Sequence, residues 1–243
     1  MFIDHCLICD AVLNTTKNNA GLCHTCQSLL EDEQYNKFMA QCPSCYYPIV
    51  SSEYKCPRCR KAGPEGKAFP IYCVSTYDGN LSYSVLQRFK FHDDKRLAKV
   101  VAFMLSKALP ILDPSGSAVI VPIPCSKQSL KKRGWDQMKE VAKYLDRDVL
   151  PLLVNTNNSS SQQKLLDRSQ RLIKMSKRFE LDKGYKLEEA LKALKNRSII
   201  LIDDVSTTFS TLTAAQTYLA SLGFEDIKGA VWLYDLKAER LGS

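Results

Sequence analysis

The chain has 243 residues, 45% of them hydrophobic and 25% charged, with a formal charge of +8. That balance excludes a disordered chain and suits one sizeable globular domain plus a small one. No apolar run approaches the roughly 20 residues that span a bilayer. Residues 1–6 carry neither a basic n-region nor a long apolar h-region, so the expected setting is cytoplasmic, with no membrane span.

Eight of the ten cysteines fall into four Cys-x-x-Cys pairs: Cys6/Cys9, Cys23/Cys26, Cys42/Cys45 and Cys56/Cys59. Two intervening residues let both sulfurs of a tight turn point at one ion, and two such turns complete a tetrahedral zinc site. Two structural zinc ions are therefore expected. Disulfides would require a secreted protein, and a thioredoxin-like redox motif has one pair beside a βαβ unit rather than four in series. Sequential pairing gives two zinc-ribbon-like hairpins; an interleaved pairing stays open. His5 and His24 adjoin the pairs, but four cysteines already fill each site. With zinc bound, eight thiolates and two dications lower the formal charge to about +4. Cys73, in a strand-like run, reads as a core thiol.

Residues 1–62 show little periodicity apart from a charged linker at 27–37, so metal must supply the folding energy of this small domain. Residues 61–69, with Gly63, Pro64 and Gly66, read as a hinge. A second domain at 70–243 then alternates. Strands are expected at 71–77, 118–123, 150–154, from 199, and at 227–234. Helices are expected at 81–91, 96–109, 135–145, 165–175, 187–194 and 211–222, the last capped by Gly223. Residues 155–163 are polar and low in complexity. Strands alternating with helices predict an α/β fold, a parallel sheet flanked by helices.

Two basic clusters stand out. Val121-Pro122-Ile123-Pro124 ends a strand and leads into Cys125, Ser126, Lys127, Lys131, Lys132, Arg133 and Gly134. A strand-end loop with cations and a glycine can hold a diphosphate; taken alone it reads as a solvated basic loop. Lys164, Arg168, Arg171, Lys174, Lys177 and Arg178 form the second cluster, suited to nucleic acid, a diphosphate or water.

The most informative stretch is 199–211. Ile199-Ile200-Leu201-Ile202 runs into Asp203-Asp204, followed by Val205-Ser206-Thr207-Thr208-Phe209-Ser210-Thr211. Open parallel sheets bind ligands at the C-terminal ends of their strands. Backbone N–H groups, hydroxyls and the next helix's N-terminus suit a phosphate. Paired carboxylates suit the vicinal hydroxyls of a sugar. Together these describe a ribose 5-phosphate site. The bland alternative is a core strand ending in a helix-capping Asp.

This stretch resembles the phosphoribosyl pyrophosphate motif of type I phosphoribosyltransferases, Asp-Asp-x-x-Thr-Thr-Gly-x-Thr after an apolar strand. The motif's glycine is Phe209 here. At positive φ a Phe costs roughly 1–3 kcal/mol; at negative φ it is tolerated and points away. Thr76-Tyr77-Asp78-Gly79 through Leu86-Gln87-Arg88-Phe89-Lys90-Phe91, Arg133-Gly134-Trp135-Asp136-Gln137, and the spacing of Gln163, Leu166 and Arg171 extend the likeness. With the cysteine pairs, the chain resembles the ComF family, type I phosphoribosyltransferase-like proteins behind an N-terminal zinc-binding segment.

The resemblance implies roles. Asp203 and Asp204 would hold the ribose hydroxyls of phosphoribosyl pyrophosphate. Thr207, Thr208, Ser210 and Thr211, with the amides of the 205–211 loop, would hold the 5-phosphate. The loop from Cys125 to Arg133 would meet the pyrophosphate, on which magnesium would sit. A mobile flap from Asn155 to Arg171, carrying Gln163, Arg168 and Arg171, would cover the site. The family's association with natural competence implies single-stranded DNA and DNA-uptake proteins as partners. The sequence identifies no acceptor. A non-catalytic DNA- or partner-binding protein with a lapsed phosphoribosyl site is the competing expectation, and a ligand-sensing regulator a third.

Overall fold

Each half of the N-terminal segment contains a short helix opened by a cysteine. Cys23 Sγ accepts from the amide of Cys26 at the start of α1 (His24–Asp32), and Cys56 Sγ accepts from Cys59 at the start of α2 (Pro57–Lys61). A sulfur thus fills the capping place usually held by Ser or Asp. Between these helices β1 (Ala40–Gln41) and β2 (Pro48–Ile49) pair antiparallel. The computed structural model describes residues 4–13, 20–33, 40–49, 56–62, 68–77, 81–156 and 178–235.

The remaining elements are, in order, β3 (Ile71–Thr76), α3 (Leu81–Phe91), a 3-10 turn (Lys95–Leu97), α4 (Ala98–Ser106), α5 (Leu109–Leu112), β4 (Val119–Pro122), α6 (Lys127–Arg133), α7 (Gln137–Ala142), β5 (Leu153–Asn155), β6 (Phe179–Leu181), α8 (Leu187–Ala193), β7 (Ile199–Ser206), α9 (Ser210–Ser221) and β8 (Ile227–Tyr234). β3, β8, β7 and β4 form one sheet in that order, every pair parallel. The expected α/β fold with a helix-flanked parallel sheet is present.

Strands buried on both faces read as continuous apolar runs, and alternate residues serve opposite faces. On one face, Tyr72, Val74, Ile120, Ile200, Ile202 and Trp232 pack with helices α3, α4 and α7. Leu22, Leu30 and the buried thiols Cys6 and Cys26 join that core. On the other, Ile71, Cys73, Val121, Ile199, Leu201 and Val231 pack with α8 and α9, and the cysteines of residues 42–59 join it with Tyr47. The two cysteine-rich units therefore support opposite faces of one sheet. A specific tie reinforces the first: the Glu33 carboxylate accepts from the amides of Leu81 and Ser82, capping α3 from the end of α1.

Several boundaries differ from expectation. Part of the charged linker is α1. The helix expected over 96–109 is broken, because Pro110 cannot donate to residue 106 and crowds its carbonyl; α4 ends at Ser106 and α5 restarts at Leu109. β5 starts later than expected and pairs antiparallel with β6, a three-residue strand too short for periodicity to reveal. The helix expected over 165–175 lies outside the described residues. Among the described residues no helix is long and apolar enough to cross a membrane.

Candidate functional site

Because the sheet is parallel, the C-terminal ends of β4 and its neighbour β7 share one edge, the usual ligand-binding edge of such sheets. A cavity of about 450 Å³ opens there. Asp203, Asp204, Val205 and Thr211 line it from β7 and α9; Cys125, Ser126 and Arg133 line it from the segment after β4. These expected site residues come together. Thr207, Thr208, Phe209 and Ser210 are not in the lining, and neither are Lys127 and Lys131. Gln163, Arg168 and Arg171 lie outside the described residues.

The strand does not stop at the carboxylates. Asp203, Val205 and Ser206 still pair with Val231, Leu233 and Tyr234 of β8, so the turn begins only at Thr207. Asp203 keeps some surface open to the cavity. Enclosure on its other sides, and then the adjacent Asp204 carboxylate, push its pKa up to about 7. Asp204 is buried, and its carboxylate lies 2.8 Å from the Lys90 ammonium.

Phe209 occupies the left-handed region, with φ 57° and ψ 7°. Its amide donates to Ser206 Oγ at 2.9 Å, closing the turn. The position does need positive φ, as the motif's glycine suggests, yet the ring does not point away: it is buried and stacks on Tyr234 at 4.7 Å. Phe209 gives α9 no side-chain cap, and the first amides of this 12-residue helix have no intrahelical partner, which suits an anion.

The basic stretch after β4 is a helix, not a loop. Ser126 caps α6 by accepting from Ser129, and three cations sit in its last turn, where the helix dipole favours them. Lys127 and Lys131 are exposed along it, while Arg133 at its end reaches the cavity. Gly134 has φ 76° and ends the helix. Trp135 packs edge-on against Phe89. Asp136 caps α7 and accepts from Cys125 N–H at 3.0 Å. Gln137 is buried, donates to Phe89 carbonyl and accepts from Arg133. The Arg-Gly-Trp-Asp-Gln run thus fixes the segment after β4 against α3. Burial, and then the Asp136 carboxylate, push the Cys125 thiol up to about 12.

The lining also includes Lys90, Gln137 and Arg178, to which the sequence reading gave no role in the site, and Asn155, where the expected flap begins. Asn155 donates to Pro124 carbonyl at 3.2 Å. Arg178 donates to Thr211 Oγ1 at 2.9 Å, and its Nε is buried with no hydrogen-bond partner among the described residues. Arg178 was visible only as part of a basic cluster; its place beside Thr211 depends on β6. Lys90, Arg133 and Arg178 give the cavity three cations opposite two carboxylates, a lining suited to a ligand bearing both anionic groups and hydroxyls.

The cysteines group sequentially. Cys6, Cys9, Cys23 and Cys26 form one cluster and Cys42, Cys45, Cys56 and Cys59 the other, with the sulfurs of each within 4.8 Å of one another. Sulfur separations of 3.6 Å (Cys9–Cys23), 3.8 Å (Cys42–Cys59) and 3.4 Å (Cys45–Cys56) are far from disulfide length. They suit a tetrahedron with zinc–sulfur bonds of about 2.3 Å, whose edges are about 3.8 Å. Each set can hold a zinc ion. His5 is turned aside, its Nδ1 donating to Asp10 carbonyl.

No family model matches the chain. Curated relatives span almost all of it. Competence protein F of Haemophilus influenzae is 28% identical, covering 93% of this chain and 94% of that protein. Competence protein ComFC of Bacillus subtilis is 28% identical over 90% of this chain and 89% of its own. Competence protein ComFC of Streptococcus pneumoniae is 26% identical, with 92% and 96% covered. The motifs and these full-length likenesses agree: the chain is similar over nearly its whole length to the ComF competence proteins.

Proposed function

We propose that this chain is a phosphoribosyl pyrophosphate-binding, type I phosphoribosyltransferase-like protein that acts in natural competence, handling imported single-stranded DNA in the cytoplasm. The observation that carries the ligand reading is the convergence of Asp203, Asp204 and Thr211 with Arg133 and Arg178 on one cavity at the strand ends. In this reading the carboxylates accept from the ribose hydroxyls. The open amides of α9 and Thr211 take the 5-phosphate. Arg133 and Arg178 face the pyrophosphate, with magnesium held on the ligand and its waters. Transfer would rest on positioning and charge. The competence role follows the printed names of the relatives. Zinc is the metal we assign to both clusters, and residues 1–62 and 70–243 are taken as the zinc-binding and phosphoribosyltransferase-like domains.

Calorimetry with magnesium and phosphoribosyl pyrophosphate tests this. Micromolar binding is expected in the zinc-loaded protein, and its loss in the Asp203→Asn, Asp204→Asn double variant. No binding by folded protein would refute the ligand reading. It would favour a second one, a DNA- or partner-binding competence factor with a lapsed site. The Lys90–Asp204 ion pair favours that alternative, since it occupies a carboxylate the ribose would need.

A further inference from the structure

The left-handed turn at Phe209 requires something to hold it, since a bulky residue does not adopt positive φ freely. Three aromatic or cationic groups surround the ring. Tyr234 stacks on it at 4.7 Å with the planes 9° apart. Tyr47 meets both rings edge-on at 6.2 Å. The Arg58 guanidinium carbon lies 4.7 Å from the Phe209 centroid.

Each of these groups is itself anchored. Tyr234 ends β8, paired with Ser206 and Thr76. Tyr47 follows Cys45 by two residues, and its carbonyl accepts from Cys42 N–H at 2.8 Å. Arg58 sits between Cys56 and Cys59, and its Nη2 donates to Phe69 carbonyl at 3.0 Å. Its Nη1 is buried with no hydrogen-bond partner among the described residues. The guanidinium also faces the Tyr47 ring at 6.0 Å, and the Phe209 face is the nearer of the two. Both halves of the second cysteine cluster thus send one side chain to Phe209, and a metal joining the four sulfurs fixes where those side chains stand.

We propose that Arg58 is a positioning residue: carried by the second cysteine cluster, it clamps Phe209 and so holds the 206–211 turn in its ligand-receiving shape. Where a glycine would adopt this turn by itself, Phe209 adopts it because its ring is gripped. The turn's geometry therefore depends on the second metal site and not on the first, which supports the opposite sheet face. The consequence for ligand rests on the phosphoribosyl reading above; the clamp itself does not.

The test is a cycle of Arg58→Ala, Phe209→Gly and the double variant in the full-length, zinc-loaded chain. Hydrogen exchange of the 206–211 peptide and calorimetry with magnesium and phosphoribosyl pyrophosphate are read in each, beside zinc content. Arg58→Ala is expected to speed exchange and weaken binding by about tenfold each, as befits a desolvated cation–π contact, with two zinc ions retained. Arg58→Lys, which keeps the charge, should recover part of both. In the Phe209→Gly background, removing Arg58 should change neither by more than about twofold, because glycine needs no clamp.

Unchanged exchange in Arg58→Ala, or an equal effect in both backgrounds, would overturn the proposal. So would loss of zinc from that variant, which would make Arg58 part of the metal site's own framework. If Arg58→Ala precipitates, Arg58→Gln carries the same comparison. If the unaltered protein binds no phosphoribosyl pyrophosphate, the ligand reading fails while the exchange data still decide the clamp.

Discussion

The Lys90 ammonium stands 2.8 Å from the Asp204 carboxylate, joining the last turn of α3 to the ligand edge of β7. Asp204 is buried beside a second carboxylate, so this cation offsets charge that the sheet could not otherwise hold. The same ammonium lines the cavity. It serves the resting protein and is placed to meet an arriving anion.

Replacing Lys90 by Met should therefore cost stability on the order of 2 kcal/mol, since it leaves a buried carboxylate unpaired. Urea denaturation checks this. The double variant with Asp204→Asn should recover much of the loss, because the stranded charge is gone. If the two substitutions instead add, the pair is not coupled.

Asp203 predicts the pH dependence. Its folded pKa is raised, first by burial and then by Asp204, so the proton favours the folded state. That contribution is complete below the ordinary carboxylate pKa near 4 and is lost as pH rises through about 7. The melting temperature of the ligand-free, zinc-loaded protein should fall between pH 5 and pH 8. Asp203→Asn should flatten that slope. A slope left intact by the substitution would place the titration elsewhere.

Gly134 ends α6 at φ 76°, and a Cβ there would meet nothing within 4 Å. Gly134→Ala should thus suffer from backbone strain alone, about 1 kcal/mol. Because the turn aims Trp135, Asp136 and Gln137, a larger loss measured by denaturation would mean that the turn had moved. Trp135 fluorescence would then report its separation from Phe89.

Cys45 is fully buried in the second cluster, among sulfurs spaced for a tetrahedral ion. Metal analysis should find about two zinc ions per chain, and about one in Cys45→Ser. Cys9, exposed in the first cluster, gives the companion variant. Cys45→Ser should loosen the Phe209 turn and Cys9→Ser should not, because the two clusters support opposite faces of the sheet.

Much of this structure is legible in the sequence. The Cys-x-x-Cys spacing marked the eight cysteines of the two clusters, because two-residue spacing is a local property of a turn. Strands expected at 71–77, 118–123, from 199 and at 227–234 showed as apolar runs, because both faces of a parallel strand are buried, although β7 runs past the carboxylates to Ser206. Asp203-Asp204 at the end of the apolar run suggested a strand-end ligand site, and both carboxylates do line the cavity there. The helix over α6 was also written in the sequence, in the Ser126-x-x-Ser129 cap, but its lysines and arginine suggested a solvated loop instead.

What sequence alone determined, then, is what short-range chemistry determines: cysteine spacing, burial period, and a carboxylate pair followed by hydroxyls. The sequential grouping of the cysteines, the meeting of Lys90, Asn155 and Arg178 around Asp204 and Thr211, and the grip of Arg58 and Tyr47 on Phe209 were decided by tertiary structure. Each joins residues far apart in the chain. Such contacts exist only once the parallel sheet aligns its strand ends and each cysteine cluster docks on one face, and no local period encodes that.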